Sequence, residues 1–121
     1  MNASAASRPP LTTILWDNGV VMRVVLQYFA GCPNWVEADS LLQDALAAVG
    51  AADATIERQR VETVAEAIAV GFIGSPTILL DGRDPFGVEG AEPGLACRIY
   101  SIPSGLRGSP TFEQLVAVLR V

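Results

Sequence analysis

The chain has 121 residues, of which half are hydrophobic and 17% are charged, so it is suited to a single domain with a buried core. The formal net charge is −5 and there is no histidine, which excludes a Cys/His zinc site and catalysis by Ser-His-Asp or Cys-His groups. Eight scattered arginines argue against nucleic-acid binding, and no apolar run reaches the ~20 residues of a membrane-spanning helix.

Residues 1–21 are predicted to be an N-terminal extension, and residues 22–121 a single domain. The first ten residues are small, polar and proline-containing, which is typical of disorder. They lack the basic and apolar regions of a secretion signal, so we expect a cytoplasmic protein. Leu11 to Trp16 is instead apolar enough to form an extra edge strand.

The first half of the domain is predicted to alternate strand and helix. A short apolar run and a half-exposed run indicate two strands. Apolar residues spaced by three and four indicate a helix between them, which Gly50 ends. Thr63 and Glu66 form a capping-box pattern that begins a second helix. The predicted elements are a strand at Val24–Phe29, a helix at Pro33–Val49, a strand at Ala54–Val61 and a helix from Thr63 to about Val70.

The second half is predicted to add two strands and a closing helix. The strands are Thr77–Asp81 and Ala96–Tyr100, separated by a long loop rich in proline and glycine at 84–95. A second loop, Ser101–Pro110, precedes a helix that starts at Ser109-Pro110. The order β-α-β-α-β-β-α predicts an α/β fold with a four-stranded mixed sheet and helices on both faces.

Two segments indicate a functional site. Cys32 follows the first strand and precedes the first helix, where unpaired backbone N–H groups and the helix dipole stabilise a thiolate. Pro33 suits the start of that helix because its missing N–H costs nothing there. Pro76 lies at the start of a predicted buried strand. Its nitrogen carries no hydrogen and cannot take part in the hydrogen bonds between strands, so Pro76 is a candidate cis-proline.

Together these segments resemble the thioredoxin-like superfamily. Cys32-Pro33-Asn34-Trp35 is similar to the Cys-Pro-x-Cys motif of glutaredoxins, with Trp35 in place of the second cysteine. Gly74-Ser75-Pro76-Thr77-Ile78 resembles the segment in which thioredoxins place Pro-Thr before a strand. The resemblance covers about residues 22–121 and extends to small actinobacterial thioredoxin-family proteins. Some of these are labelled alkylmercury lyases, a label that no residue pattern here supports.

The resemblance implies a thioredoxin-like fold and thiol–disulfide redox activity through Cys32. Because the second motif cysteine is missing, three routes stay open for releasing a mixed disulfide. A glutathione-like low-molecular-weight thiol could release it, Cys97 could release it, or no turnover occurs. Cys97 begins the predicted fourth strand, which places it at the far end of the sheet from Cys32 unless the 84–95 loop folds back.

The candidate catalytic residues are therefore Cys32 and Cys97. The candidate substrate-binding residues are Pro33, Trp35, Ser75, Pro76 and Thr77. The backbone of Ser75 is expected to pair with a substrate strand. Trp35 is either an aromatic wall beside the thiol or a cover for the core.

The expected partner is a protein or a low-molecular-weight thiol or disulfide, and not nucleic acid or a membrane. No metal and no cofactor other than a glutathione-like thiol is expected, with Arg83, Arg98 and Arg107 as candidate partners for its carboxylates. Two alternatives remain. One is a redox-inactive binding module that uses the groove between Trp35 and Pro76. The other is a carrier of a soft, mercury-type metal, which two converging thiolates would suit.

Overall fold

The computed structural model of the chain describes residues 13–15, 21–87 and 89–120. The predicted disorder of residues 1–10 lies outside these ranges. Within them the fold is mixed α/β, built on a three-stranded mixed sheet with three helices. The elements are β1 Thr13–Leu15, β2 Val21–Tyr28, α1 Asn34–Ala48, β3 Glu57–Arg60, α2 Val64–Val70, β4 Thr77–Leu80, β5 Tyr100–Ile102, β6 Gly105–Arg107 and α3 Phe112–Leu119.

Strand β2 is the centre of the sheet. It pairs in parallel with β3 and antiparallel with β4, so that Val25 lies opposite Glu57 and Leu79. The parallel pair needs a crossover, and α1 provides it. Strand β1 pairs antiparallel with the first residues of β2. None of the helices within the described ranges is long and apolar enough to cross a membrane.

The main core lies between the sheet and helices α1 and α3. Val24 and Leu26 point to this side from β2 and are fully buried. Helix α1 contributes the predicted apolar face, in which Ala38, Leu42, Ala45 and Leu46 are buried. Burial of each large aliphatic side chain contributes about 1.5–3 kcal/mol. A smaller cluster of Val61, Ala67 and Phe72 packs around α2.

The helix starts differ in how their free N–H groups are satisfied. Helix α2 begins with the predicted capping box of Thr63 and Glu66. Helix α3 begins with a second capping box of Thr111 and Gln114, so its start lies after the predicted Ser109-Pro110. Helix α1 has Pro33 at its N-cap and no side-chain cap, and its Val36 N–H donates to the Pro33 carbonyl (3.2 Å). The positive end of the α1 dipole lies at this N-terminus, directly after Cys32.

The prediction of a fourth strand at Ala96–Tyr100 is wrong. Cys97 forms an isolated bridge there, parallel to Ser75, and Tyr100 belongs to β5. The physical reason is the path of the 84–95 loop, which returns to the start of β4, where the Gly94 N–H donates to the Phe72 carbonyl (3.0 Å). The chain therefore runs past Ser75 in the same direction as β4. It does not turn back to form an antiparallel pair with β4. Strands β5 and β6 form a separate antiparallel hairpin within the segment Ser101–Pro110, which was predicted to be a loop.

Candidate functional site

The two cysteines of the chain meet in a disulfide. Cys32 and Cys97 are 65 residues apart in sequence, and their Cα atoms are 5.7 Å apart. The expectation that Cys97 lies at the far end of the sheet is therefore wrong, because the loop folds back. The structure brings together both candidate catalytic residues, immediately before α1 and beside the start of β4.

Residues 96–98 (the Cys97 segment) are held against Ser75 by two backbone hydrogen bonds. The Ser75 N–H donates to the Ala96 carbonyl, and the Arg98 N–H donates to the Ser75 carbonyl, both at 2.8 Å. The Ser75 backbone, predicted to pair with a substrate strand, is thus occupied by the chain itself. Gly74 permits this approach, since its φ is +137° and an added Cβ would lie 3.0 Å from the Arg98 Cβ.

Arg98 anchors the segment from inside the protein. Its side chain is 6% exposed and forms an ion pair with Asp84, with Nη1 2.7 Å from Oδ2. The guanidinium also donates to the Thr77 hydroxyl (3.2 Å) and to the Phe86 carbonyl, and it lies 4.5 Å from the centre of the Tyr100 ring. Arg98 is therefore committed to the fold and is not available for the carboxylates of a glutathione-like ligand.

The other two candidate arginines lie on the surface. Arg107 on β6 is 3.5 Å from the carboxylate of Glu37 on α1, an exposed pair that ties the hairpin to the start of the helix. Arg83 is exposed and forms a bridge with Leu80 through its backbone. Neither observation makes them ligand-binding residues.

Cys32 is fully buried. Its sulfur lies 3.6 Å from the Ser75 carbonyl oxygen, and its N–H donates to the Phe29 carbonyl (3.0 Å). The turn before it is held by the Glu62 carboxylate, which accepts from the Ala30 N–H at 2.9 Å. That backbone hydrogen bond, followed by the Arg60 guanidinium, holds the pKa of Glu62 below its ordinary value.

The remaining candidate residues surround the disulfide in different ways. The Ser75–Pro76 peptide bond is cis, as predicted, and the buried Pro76 accepts a hydrogen bond from the Tyr100 hydroxyl through its carbonyl. Pro33 is exposed at the α1 N-cap. Trp35 is half-buried against the main core and stacks on Tyr28, with ring centres 4.3 Å apart. This packing favours its interpretation as a cover for the core.

Two neighbouring buried hydroxyls give opposite predictions for stability. Within the described residues, Ser75 Oγ has no hydrogen-bond partner, whereas Thr77 Oγ1 donates to the Gly74 carbonyl (2.6 Å) and accepts from Arg98. We expect Ser75→Ala to raise the free energy of unfolding by up to about 1 kcal/mol, because it removes an unsatisfied polar atom. We expect Thr77→Val to lower it by about 1–3 kcal/mol. Urea unfolding of the oxidised proteins measures both, and shifts of the same sign would contradict this assignment.

Tyr100 makes the stability sensitive to alkaline pH. Burial raises the pKa of its hydroxyl well above the ordinary 10.0; Arg98 opposes this shift and Asp84 adds to it. Above about pH 10 the unfolded chain loses this proton while the folded chain keeps it, so stability falls as pH rises. Tyr100→Phe removes this loss, although it also removes the hydrogen bond to Pro76, worth about 1 kcal/mol at neutral pH.

The measurement is urea unfolding of the wild type and Tyr100→Phe from pH 8 to pH 11. The wild type is expected to be the more stable below pH 10 and to lose about 1.4 kcal/mol relative to the variant for each pH unit above it. The variant keeps every other titrating group, so it serves as the matched control. Parallel profiles for the two proteins would contradict the prediction.

Several residues of this site could not be identified as such from the sequence. Asp84, Phe86 and Tyr100 surround Arg98, and Gly74 makes room for the Cys97 segment. One signal in the sequence could have indicated this cluster: Arg98 is the single charged residue in the otherwise largely apolar run at 95–100. A buried arginine requires a carboxylate partner. A cleft of about 470 Å³ lies at the far end of α1, and one of about 190 Å³ lies between the start of α1 and the start of α3. Of the residues predicted to bind a ligand, Arg107 lines the smaller cleft, and none of the predicted catalytic or substrate-binding residues lines either.

Among the described residues, no group of three or more side chains is arranged to hold a metal ion. The disulfide joins two cysteines from distant parts of the chain, one buried before a helix and one on the surface. Comparison with family models, curated proteins and solved structures found no match to the chain.

Proposed function

We propose that this chain is a thioredoxin-like thiol–disulfide redox protein that cycles the Cys32–Cys97 pair between disulfide and dithiol. The observation that carries the proposal is the convergence of the two cysteines at the N-terminus of α1. There the positive end of the helix dipole stabilises a thiolate, which is the species that takes part in exchange. Cys97 would thus take the role of the second motif cysteine, which Trp35 replaces.

One further observation supports the proposal. The order β2-α1-β3, followed by β4 with a cis-proline before it, agrees with a thioredoxin-like fold in its central part. A cytoplasmic location belongs to the same proposal, since disulfides in a reducing compartment are typically catalytic or redox-sensing.

The test is the reduction potential of the Cys32–Cys97 pair. Oxidised protein is equilibrated in buffers of reduced and oxidised dithiothreitol, quenched with acid and alkylated, and the fraction of dithiol is read from its mass. We expect a single two-electron transition at a potential above about −300 mV, the range of redox-active pairs. A lower potential would assign the bond as a structural cross-link.

The binding-module alternative has a specific obstacle. The groove between Trp35 and Pro76 would need the Ser75 backbone, but the Cys97 segment already occupies it. A binding module would also keep its affinity for a peptide in Cys32→Ser. The redox proposal instead expects that variant to lose all dithiol–disulfide cycling.

A soft-metal carrier is the second candidate, because the two thiols converge once the bond is reduced. A two-coordinate ion such as mercury or copper(I) suits two thiolates. The metal would be cargo, bound between Cys32 and Cys97. Titration of the reduced protein with mercuric ion tests this candidate, which requires one tight equivalent in the wild type and its loss in both Cys32→Ser and Cys97→Ser.

A further inference from the structure

The two sulfurs of the disulfide differ in access. Cys32 is fully buried under the turn that precedes α1 and against Ser75. Cys97 is exposed. An external thiolate must reach one sulfur directly, because exchange proceeds by attack on a sulfur atom and depends on which atom is accessible. The sulfur of Cys32 is therefore closed to solvent, whereas Cys97 is the residue of the pair that lies at the surface.

The backbone of the Cys97 segment explains this difference. From Cys97 to Tyr100, residues alternate between exposed and buried, as in an extended chain with one face inward. Arg98 and Tyr100 are held inside by Asp84 and by the Pro76 carbonyl. Cys97 and Ile99 are thereby kept outside, and Ile99 is 60% exposed. The orientation of Cys97 is fixed by its neighbours and not by the disulfide alone.

We propose that Cys97 is the cysteine an incoming thiolate attacks, and that the buried Cys32 is the leaving group. This assignment rests on the proposed redox function and specifies its direction. In the first step a thiolate R–S⁻ bonds to Cys97 Sγ, the Cys32–Cys97 bond breaks, and its electron pair stays on Cys32 as a thiolate. In the second step another R–S⁻ attacks the R sulfur, giving R–S–S–R and a Cys97 thiolate that takes a proton from water.

The surroundings of Cys32 suit a leaving group. Cys32 directly precedes Pro33, the N-cap of α1, where the positive end of the helix dipole favours negative charge on the sulfur. A stabilised leaving thiolate accelerates exchange. The mixed disulfide then stands on the exposed face next to Ile99, where an apolar part of the partner thiol can make contact.

The test locates the mixed disulfide. Oxidised protein is mixed with glutathione, quenched in acid within seconds and digested with trypsin, which separates the peptides that carry Cys32 and Cys97. We expect the glutathione adduct on the Cys97 peptide in at least tenfold excess over the Cys32 peptide. An adduct that is equal on both peptides, or larger on Cys32, would overturn the assignment.

A second measurement decides the assignment even if the disulfide proves too stable for glutathione to reduce. Cys32→Ser leaves only Cys97, and Cys97→Ser leaves only Cys32, so each variant is the matched control of the other. Both are reacted with the aromatic disulfide DTNB, natively and in urea. The assignment expects native Cys97 to react at least tenfold faster and both to react equally when unfolded. Equal native rates would overturn it, whereas a potential below the redox-active range would overturn only the proposed function.

Discussion

Cys97→Ser is expected to lower the free energy of unfolding by about 4 kcal/mol. The disulfide joins residues 65 positions apart, and this cross-link restricts the unfolded chain far more than the folded one. Small domains have a total stability of about 5–15 kcal/mol, so this one bond supplies a large share of it. Urea unfolding of the oxidised wild type and the variant, monitored by circular dichroism, measures the difference.

The fully reduced wild type is the control that separates the effect of the cross-link from that of the side chain. The fully reduced wild type should match Cys97→Ser, because both lack the bond while keeping Cys32. The serine introduced by this substitution would occupy an exposed position, so its hydroxyl stays hydrated and adds no burial cost. A difference below about 1 kcal/mol between oxidised wild type and variant would mean that the unfolded chain gains little freedom when the bond is removed.

Arg98→Met is expected to lower the free energy of unfolding by about 3 kcal/mol. The substitution leaves Asp84, whose side chain is 16% exposed, without its cation, and it removes the donors to Thr77 and Phe86. A buried charge that loses its partner is costly even where the intact pair adds little net stability. The same loss should loosen the Cys97 segment and make the disulfide easier to reduce.

Arg107→Met is the matched control, since it removes an arginine from an ion pair in which both side chains are more than half exposed. Such a surface pair contributes at most about 1 kcal/mol. Urea unfolding and the reduction potential should therefore both change in Arg98→Met and stay near the wild-type values in Arg107→Met. Equal effects of the two substitutions would contradict the anchoring role of Arg98.

The sequence predicted those parts of the fold that depend on local pattern. The run before Cys32, the apolar face of α1, the Thr63 capping box and the strand after Pro76 each follow from residues close together in the chain. The central strand and its parallel partner were predicted for the same reason. Their boundaries moved by only a few residues, as hydrogen-bond ladders begin and end where neighbouring strands permit.

The prediction of the fourth strand failed because the pairing of a strand depends on residues that are distant in the chain. Residues 97–100 alternate between exposed and buried as in a strand, but a long loop decides which neighbour they meet. That loop returns the chain beside Ser75, which no pattern within residues 84–95 reveals. The same path of the loop brings Cys97 next to Cys32. The spacing of the two cysteines in the sequence could not show whether Cys97 lies far from Cys32 or is bonded to it. The sequence therefore predicted the position of Cys32 at the start of α1 but not its pairing with Cys97.

The pairing between Ser75 and the Cys97 segment has a consequence for peptide recognition. An outside peptide that sought the same backbone groups would compete with a strand already tethered beside them. A tethered competitor acts at an effective concentration on the order of millimolar, and the disulfide raises this further by holding the segment in place. Under the proposed redox function, a peptide partner would therefore have to displace the Cys97 segment before it could pair with the Ser75 backbone.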